Sequence, residues 1–300
     1  GSYNTFVGDS AGKGGTTSAP YSSGQKNVAI GYQALENFTT GNYNIAIGFQ
    51  AGEDITTAND NVVIGPLAGS AMTSTTHTVL LGPYAGYAIN STDANGTVAI
   101  GANAGSGITD GRYNTIMGYQ AGDAITDGDN NTIIGYQAGS AITAAGNTGS
   151  TLVGSNAGKA LTSGYNTVIG RFALSTATTA QSNIAIGDGA MAYTPAGVGI
   201  SSVIGIGASV LGDASGLTTT ANGSVAIGAG AGNNASNLAG EFVIIGSSAG
   251  GKLNGTGVVH IGFEAGYYAS GSYNTFVGND AGKGGTTSAP FSSGINNVAI

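Results

Sequence analysis

The nine residues NIAIGFQAG at positions 44–52 belong to a pattern, N-x-x-[IV]-G-x-x-A-G, that recurs about sixteen times along this chain of 300 residues. Its fifth residue, which we call the motif glycine, recurs mostly every 16 to 19 residues, with two intervals of 23. Short repeats of nearly constant length are typical of solenoids, in which each coil packs only against its neighbours. The longer intervals contain extra Gly, Ser and Thr residues, at 14–24 and 212–223, and predict surface loops. The predicted motif glycines are Gly8, Gly31, Gly48, Gly65, Gly82, Gly101, Gly118, Gly135, Gly154, Gly170, Gly187, Gly205, Gly228, Gly246, Gly262 and Gly278.

Two columns of equivalent residues predict how each coil is packed. The residue before the motif glycine is Ile, Val, Leu or Met in every copy, so we predict that it fills the core. The predicted core includes Ile30, Ile47, Ile64, Ile100, Ile134, Ile169, Ile186 and Ile227. The third residue after the glycine is always Ala, which predicts a gap where a larger side chain would cost ~1 to 3 kcal/mol. This Ala column includes Ala34, Ala51, Ala68, Ala104, Ala121 and Ala138.

Glycines and polar columns predict the turns and the contacts between coils. The motif glycine, and a second glycine after the Ala in twelve copies, predict sharp turns with positive φ. Asn stands four residues before the motif glycine in nine copies, and stacked amides can hydrogen-bond as a ladder. The predicted Asn ladder includes Asn27, Asn44, Asn61, Asn114 and Asn131. A further column rich in Thr, including Thr39 and Thr56, predicts a second extended segment in each coil.

A third apolar column predicts a contact between chains. The residue two before the motif glycine is apolar in fifteen of sixteen copies, the exception being His260. Neighbouring residues of a strand point to opposite faces, so both faces of each strand are apolar and the outer one needs a partner. A long apolar stripe favours self-association. The predicted subunit interface includes Val63, Leu80, Ile116, Ile133, Leu152 and Ile244.

The short repeats are themselves part of a longer repeat. Residues 271–300 repeat residues 1–30 with 25 of 30 identities, so the superrepeat spans 1–270 and its next copy begins at 271. We therefore predict that 1–300 is a single continuous solenoid and a segment of a longer chain.

Composition and the scarcity of reactive groups argue against catalysis. The chain has no Cys, seven Lys plus Arg, and fifteen Asp plus Glu, giving a net charge of −8. This excludes disulfides and thiolate metal sites, and it disfavours binding to nucleic acid. No segment is long and apolar enough for membrane insertion. The two histidines, His77 and His260, are far apart in the sequence, and no pair of carboxylates recurs in register. We predict that the chain is not an enzyme and has no catalytic, cofactor-binding or metal-binding residues, and thus no cofactor.

Four copies of the pattern resemble a known family. The segments NVAIG at 27–31, NIAIG at 44–48, TVAIG at 97–101 and SVAIG at 224–228 are similar to the head repeats of YadA-type trimeric autotransporter adhesins. Similar repeats occur in tail-fibre-like proteins. The resemblance extends over nearly the whole chain, and it implies a left-handed parallel β-roll, a homotrimer and display at a bacterial surface for adhesion.

We therefore expect an all-β, parallel β-solenoid (β-roll) of about sixteen coils. Its expected function is that of a structural repeat segment of an extracellular fibre or adhesin, a rigid rod for surface attachment or filament formation. The expected partners are further copies of the chain, as a homotrimer or filament, and a surface carbohydrate or protein receptor. One alternative is a phage or virus tail fibre, which neighbouring genes would distinguish. Another is an ice-binding solenoid, suggested by the Thr column.

Overall fold

The computed structural model describes residues 1–14, 22–91, 94–143, 148–194, 199–213, 222–236, 238–284 and 294–300. Over these residues the regular structure consists of short β-strands, with no α-helix. The chain divides into two compact units, Gly1–Gly149 and Ser150–Ile300, and each is a parallel β-solenoid. The predicted fold class is confirmed. Its handedness and its continuity over 1–300 stay predictions, and most of each predicted loop, 14–24 and 212–223, lies outside the described residues.

The first unit contains one three-residue strand per coil. Each strand pairs in parallel with the next, and equivalent positions face each other; for example, Ala46 of one strand is the partner of Val63 of the next. This in-register pairing is what the constant repeat predicts. The strands are β1 (Thr5–Val7), β2 (Val28–Ile30), β3 (Ile45–Ile47), β4 (Val62–Ile64), β5 (Val79–Leu81), β6 (Val98–Ile100), β7 (Thr115–Met117) and β8 (Thr132–Ile134).

The second unit has the same arrangement. Its strands pair in parallel in sequence order, and Ile244 faces His260 in the same register that pairs the strands of the first unit. The strands are β9 (Thr151–Val153), β10 (Thr167–Ile169), β11 (Ile184–Ile186), β12 (Ile204–Ile206), β13 (Val225–Ile227), β14 (Val243–Ile245), β15 (Val259–Ile261), β16 (Thr275–Val277) and β17 (Val298–Ala299).

Consecutive tight turns return the chain after each strand. In the coil that follows β5, the N–H of Ala85 donates to the carbonyl of Gly82 at 3.2 Å, and the N–H of Tyr87 donates to the carbonyl of Tyr84 at 3.3 Å. The third residues of these two turns, Tyr84 and Gly86, have φ of 57° and 56°. A positive φ at the third residue of a turn is the signature of type II geometry. The second glycine is therefore a turn residue, as predicted.

Two features make glycine necessary at the motif position: its positive φ and its close contact with the backbone of the next coil. Gly101 has φ of 131°, and a Cβ added to it would lie 2.5 Å from the carbonyl oxygen of Gly118. The same distance separates a Cβ at Gly118 from the carbonyl of Gly135. Because backbone stacks directly on backbone here, any side chain would push two coils apart.

One motif glycine is predicted wrongly. Gly205 is the middle residue of β12, and Gly207, with φ of 140°, occupies the turn. The correct register puts Val210, which is fully buried, in the Ala column. A Cβ at Gly205 would lie 2.9 Å from Sδ of Met191 and 3.5 Å from Cγ1 of Val210. The empty position in the strand therefore accommodates these two larger side chains.

The predicted core column is wrong, because the middle residue of each strand points inward and the last residue points outward. Ala46 and Val63 are fully buried, whereas Ile64 is 36% exposed. The Asn column lies two residues before the middle residue and therefore on the same face of the chain, so its side-chain amides also point into the interior of the coil. The residues predicted as core are all exposed or partly exposed on the other face: Ile30, Ile47, Ile64, Ile100, Ile134, Ile169, Ile186 and Ile227.

The Ala column is confirmed as part of the interior. Every predicted member is fully buried: Ala34, Ala51, Ala68, Ala104, Ala121 and Ala138. A further interior column, seven residues after the motif glycine, contains large aliphatic residues such as Ile55, Ile108 and Ile125. Strand middles, alanines and this column together fill each coil.

Four large residues replace the second glycine of the pattern and lie in the interior. They are Leu35, Leu174, Met191 and Leu211, all fully buried, with φ between 47° and 54°. In each case the middle strand residue of the same or the next coil is Ala or Gly. The large side chain at the turn therefore offsets the small one in the strand, as a close-packed interior requires.

The Asn ladder is confirmed. The side-chain amide of Asn44 donates to Oδ1 of Asn27 at 3.1 Å and to the carbonyl of Ala58 at 2.8 Å. Asn61 repeats both bonds one coil later, and Asn131 donates to Asn114 in the same way. The predicted members, Asn27, Asn44, Asn61, Asn114 and Asn131, are all buried. Each amide thus satisfies a carbonyl inside the coil as well as its neighbour in the ladder.

The Thr column holds coils together without forming a strand. The hydroxyl of Thr39 donates to the carbonyl of Thr56 at 3.0 Å, and Thr56 donates to Thr73 at 3.0 Å. The N–H of Thr39 also donates to Thr56. The predicted second extended segment is therefore not a regular strand, because it makes its contacts to the adjacent coil through single residues.

Candidate self-association face

The first and last residues of each strand form an apolar surface, which we call the outer sheet face. In the first unit it comprises these residues of β1 to β8, and in the second unit those of β9 to β16. Ile45 is 37% exposed, Met117 38% and Ile169 39%. Exposed or partly exposed aliphatic side chains that recur from coil to coil are unusual for the surface of a soluble monomer.

The outer sheet face carries no charge in either unit. Its described residues are Val, Ile, Leu, Met or Thr. The threonines stand only at the first position of a strand, as in β7 and β8. Both strand positions therefore expose β-branched or aliphatic side chains that present no ionised group to a partner.

Charged residues lie on the turns, where several pair between adjacent coils. Arg112 Nε lies 3.1 Å from Asp129 Oδ2, and Lys13 Nζ lies 3.2 Å from Glu36 Oε1. In both pairs the basic side chain is about half exposed, so solvent screens the interaction and each pair contributes little to stability. Their position leaves the carboxylates away from the outer sheet face.

Aromatic residues border the outer sheet face on both sides. On one side, directly after the motif glycine, Tyr32 stacks on Phe49 with ring centroids 5.5 Å apart, and Tyr119 stacks on Tyr136 at 5.7 Å. These rings cover one another from coil to coil. On the other side, the residue before the Asn column is an exposed tyrosine in several coils: Tyr43, Tyr113, Tyr165 and Tyr273. The borders widen the apolar surface.

The residues predicted as the subunit interface are not on this surface. Val63, Leu80, Ile116, Ile133, Leu152 and Ile244 are all fully buried inside their own coils, so they cannot contact a second chain. Alternation along the strand correctly predicts two opposite faces, but the prediction assigns the inner residues to the outer face. The exposed apolar stripe is formed by the neighbouring columns.

The two histidines lie in different surroundings. His260 is fully buried in the interior, whereas His77 is exposed with Nε2 3.8 Å from Asp60 Oδ2. In the part of the chain that the structure describes, no group of three or more His, Cys, Asp or Glu side chains could hold a metal ion.

The described residues contain no helix of the length and hydrophobicity needed to cross a membrane.

Stacked three-residue strands, glycine turns and a buried Asn ladder define a repeat protein with a parallel β-solenoid fold. Comparison with known protein families, with curated proteins and with solved structures finds no match for this chain.

Proposed function

We propose that this chain is a structural segment of an extracellular fibre or adhesin that self-associates through the outer sheet face as a homotrimer. The observation that carries the proposal is the uncharged surface of Val, Ile, Leu, Met and Thr side chains that the first and last residues of the strands form in each unit. The fibre-forming function also agrees with the absence of charged residues from the strands.

The size of the outer sheet face decides how much of the chain an interface needs. Each unit contributes eight three-residue strands to the face. At about 3.3 Å per residue and about 4.8 Å between strands, each unit offers an area on the order of 400 Å². A standard interface buries about 800 Å² per partner, so the proposed homotrimer requires the faces of both units.

A second copy of the chain is the partner best suited to this surface. The chain has a net charge of −8, so contact through its turns would bring like charges together. The outer sheet face avoids this repulsion because it carries no carboxylate. Its repeat in every coil also lets two copies match along their whole length.

The proposed location, receptor and mode of action follow from the fibre-forming function. The site of action is the cell surface or the extracellular space, and the receptor is a surface carbohydrate or protein. The chain acts through its length and surface rather than through catalysis, and it binds neither nucleic acid nor a cofactor.

The test is the mass of the protein in solution. We expect about 87 kDa for a homotrimer of 29.0 kDa chains. The double variant Ile47→Lys and Ile64→Lys places two charges on the outer sheet face, so it should shift the mass to that of one chain. Analytical ultracentrifugation measures the mass, and circular dichroism checks that the coils remain folded.

The matched control is Thr40→Lys with Thr57→Lys, which adds the same charge at exposed positions off the face in the same two coils. This variant should keep the mass of the unmodified protein. An unmodified protein that sediments as a single chain would contradict the proposal.

A further inference from the structure

A cleft of about 320 Å³ lies on the turns of two adjacent coils in the second unit, beside Phe172 and Tyr193. We propose that this cleft binds a neutral pyranose sugar. The cleft lies away from the outer sheet face. The inference rests on the part of the proposed function that names a surface carbohydrate as receptor, and it does not depend on self-association.

The cleft exists because one coil lacks a side chain that others have. The second residue after the motif glycine is Gln33 in one coil and Gln50 in the next, and Gln50 donates to Gln33 at 3.1 Å. In the second unit this column contains Phe172 followed by Gly189. A Cβ at Gly189 would have only Oγ of Ser209 within 4 Å, at 3.7 Å. The space above Phe172 is therefore open.

The walls of the cleft are suited to the apolar face of a sugar ring. Phe172 is 43% exposed and Tyr193 is 64% exposed, and both line the cleft together with Ala192. Aromatic rings offer a flat apolar surface with a negative face, and the tyrosine adds a hydroxyl. Small-molecule sites commonly combine such walls with a few fixed polar groups.

The polar groups here are an exposed arginine and an exposed aspartate that form an ion pair. Arg171 donates through Nε to Oδ1 of Asp188 at 2.9 Å and through Nη2 to Oδ2 at 3.1 Å. The guanidinium lies 5.4 Å from the ring centroid of Phe172. Two of the five N–H donors of an arginine are thus used, and the carboxylate retains lone pairs.

This pair selects for a neutral ligand with hydroxyl groups. Arg171 and Asp188 neutralise each other, so a charged ligand would have to separate them. A sugar hydroxyl can accept from the guanidinium and donate to the carboxylate at the same time. A pyranose combines such hydroxyls with an apolar ring face, which matches the walls formed by Phe172 and Tyr193.

The test fills the cleft with a glutamine side chain, because Gln occupies the position of Gly189 in coils of the first unit. Gly189→Gln should fold, because Gln50 holds a φ of 52° at the equivalent position and Gly189 has 62°. Gly230→Gln is the control, since Gly230 has φ of 66° and an equally open surrounding but no aromatic neighbour in its column. Ligand-observed NMR is recorded with the methyl glycosides of glucose, galactose, mannose and N-acetylglucosamine.

We expect at least one of these sugars to bind the intact chain with a Kd in the millimolar range. Gly189→Gln should weaken this binding by at least about tenfold, as should Tyr193→Ala, whereas Gly230→Gln should leave it unchanged. Circular dichroism and the mass in solution should be the same for all variants. If none of the four sugars binds, or if both glutamine variants weaken binding equally, the proposal is overturned.

Discussion

The imidazole of His260 stacks on the phenyl ring of Phe276 in the adjacent coil, with ring centroids 4.9 Å apart and planes 20° from parallel. His260 is fully buried, and neither ring nitrogen has a hydrogen-bond partner in the described structure. Burial lowers the pKa of His260 from 6.5 to about 4. An imidazole in this position is therefore held neutral.

The burial of His260 predicts that acid destabilises the second unit. Below pH 6.5 the unfolded chain binds a proton that the folded chain binds only near pH 4, so stability falls over this range by about 3 kcal/mol. His260→Phe should remove this part of the loss. Urea unfolding at pH 7 and pH 4 measures it. His77→Gln, at an exposed site, is the control, and an equal loss in His260→Phe would contradict the prediction.

The Asn ladder predicts a strong difference between two substitutions at Asn44. Asn44→Ala leaves the carbonyl of Ala58 without this side-chain donor and removes the Oδ1 acceptor of the buried Asn61 amide, and we expect a loss of about 1 to 3 kcal/mol in unfolding free energy. Asn44→Thr should lose less, because Thr78 occupies the same column and donates to Asn61 at 2.8 Å. Chemical denaturation measures both. Asn90→Ala, at an exposed position, should be neutral.

Stacking of motif glycines predicts that Gly118→Ala is far more harmful than an alanine at another glycine with positive φ. Its Cβ would lie 2.5 Å from the carbonyl oxygen of Gly135, and its φ is 134°. We expect a loss on the order of 3 kcal/mol or more. At Gly230 the space is open, so Gly230→Ala should cost on the order of 1 kcal/mol. Equal melting temperatures for the two variants would count against backbone stacking.

The Ala column predicts overpacking at one alanine and tolerance at another. Ala121→Leu adds three carbons to a fully buried position, and we expect a loss of about 1 to 3 kcal/mol. Ala229→Leu adds the same volume directly after a motif glycine, where Ala229 is exposed and other coils contain Tyr or Phe. The melting temperature measured by thermal unfolding should be lowered only for Ala121→Leu.

Much of the coil could be predicted from the sequence because steric constraints leave invariant residues. Only Gly fits where backbone stacks on backbone, as at Gly118, and the interior column of Ala121 contains Ala except where Gly205 leaves room for Val210. The Asn ladder was likewise predictable, since an amide repeated in register can bond to itself. These constraints act within single columns.

The inner and outer faces could not be assigned from alternation alone. Ala46 and Ile47 are both apolar, and a period of two shows only that they point in opposite directions. The informative signal is volume. The inner column varies from Gly205 to Phe276 and is matched by turn residues such as Met191, whereas the outer columns stay uniform in size. The pattern also predicts Gly205 as a motif glycine, because Ala208 follows it at the expected spacing. The glycine that occupies the turn is Gly207.

Register between coils has a consequence for the gene. Every coil offers its neighbour the same strand edge and the same glycine backbone, so inserting or deleting a whole coil creates no new kind of contact. The near-identity of 271–300 with 1–30 also provides long matching stretches for recombination. The number of coils is therefore a trait that unequal crossing-over can change in steps of 270 residues, while each coil stays unchanged.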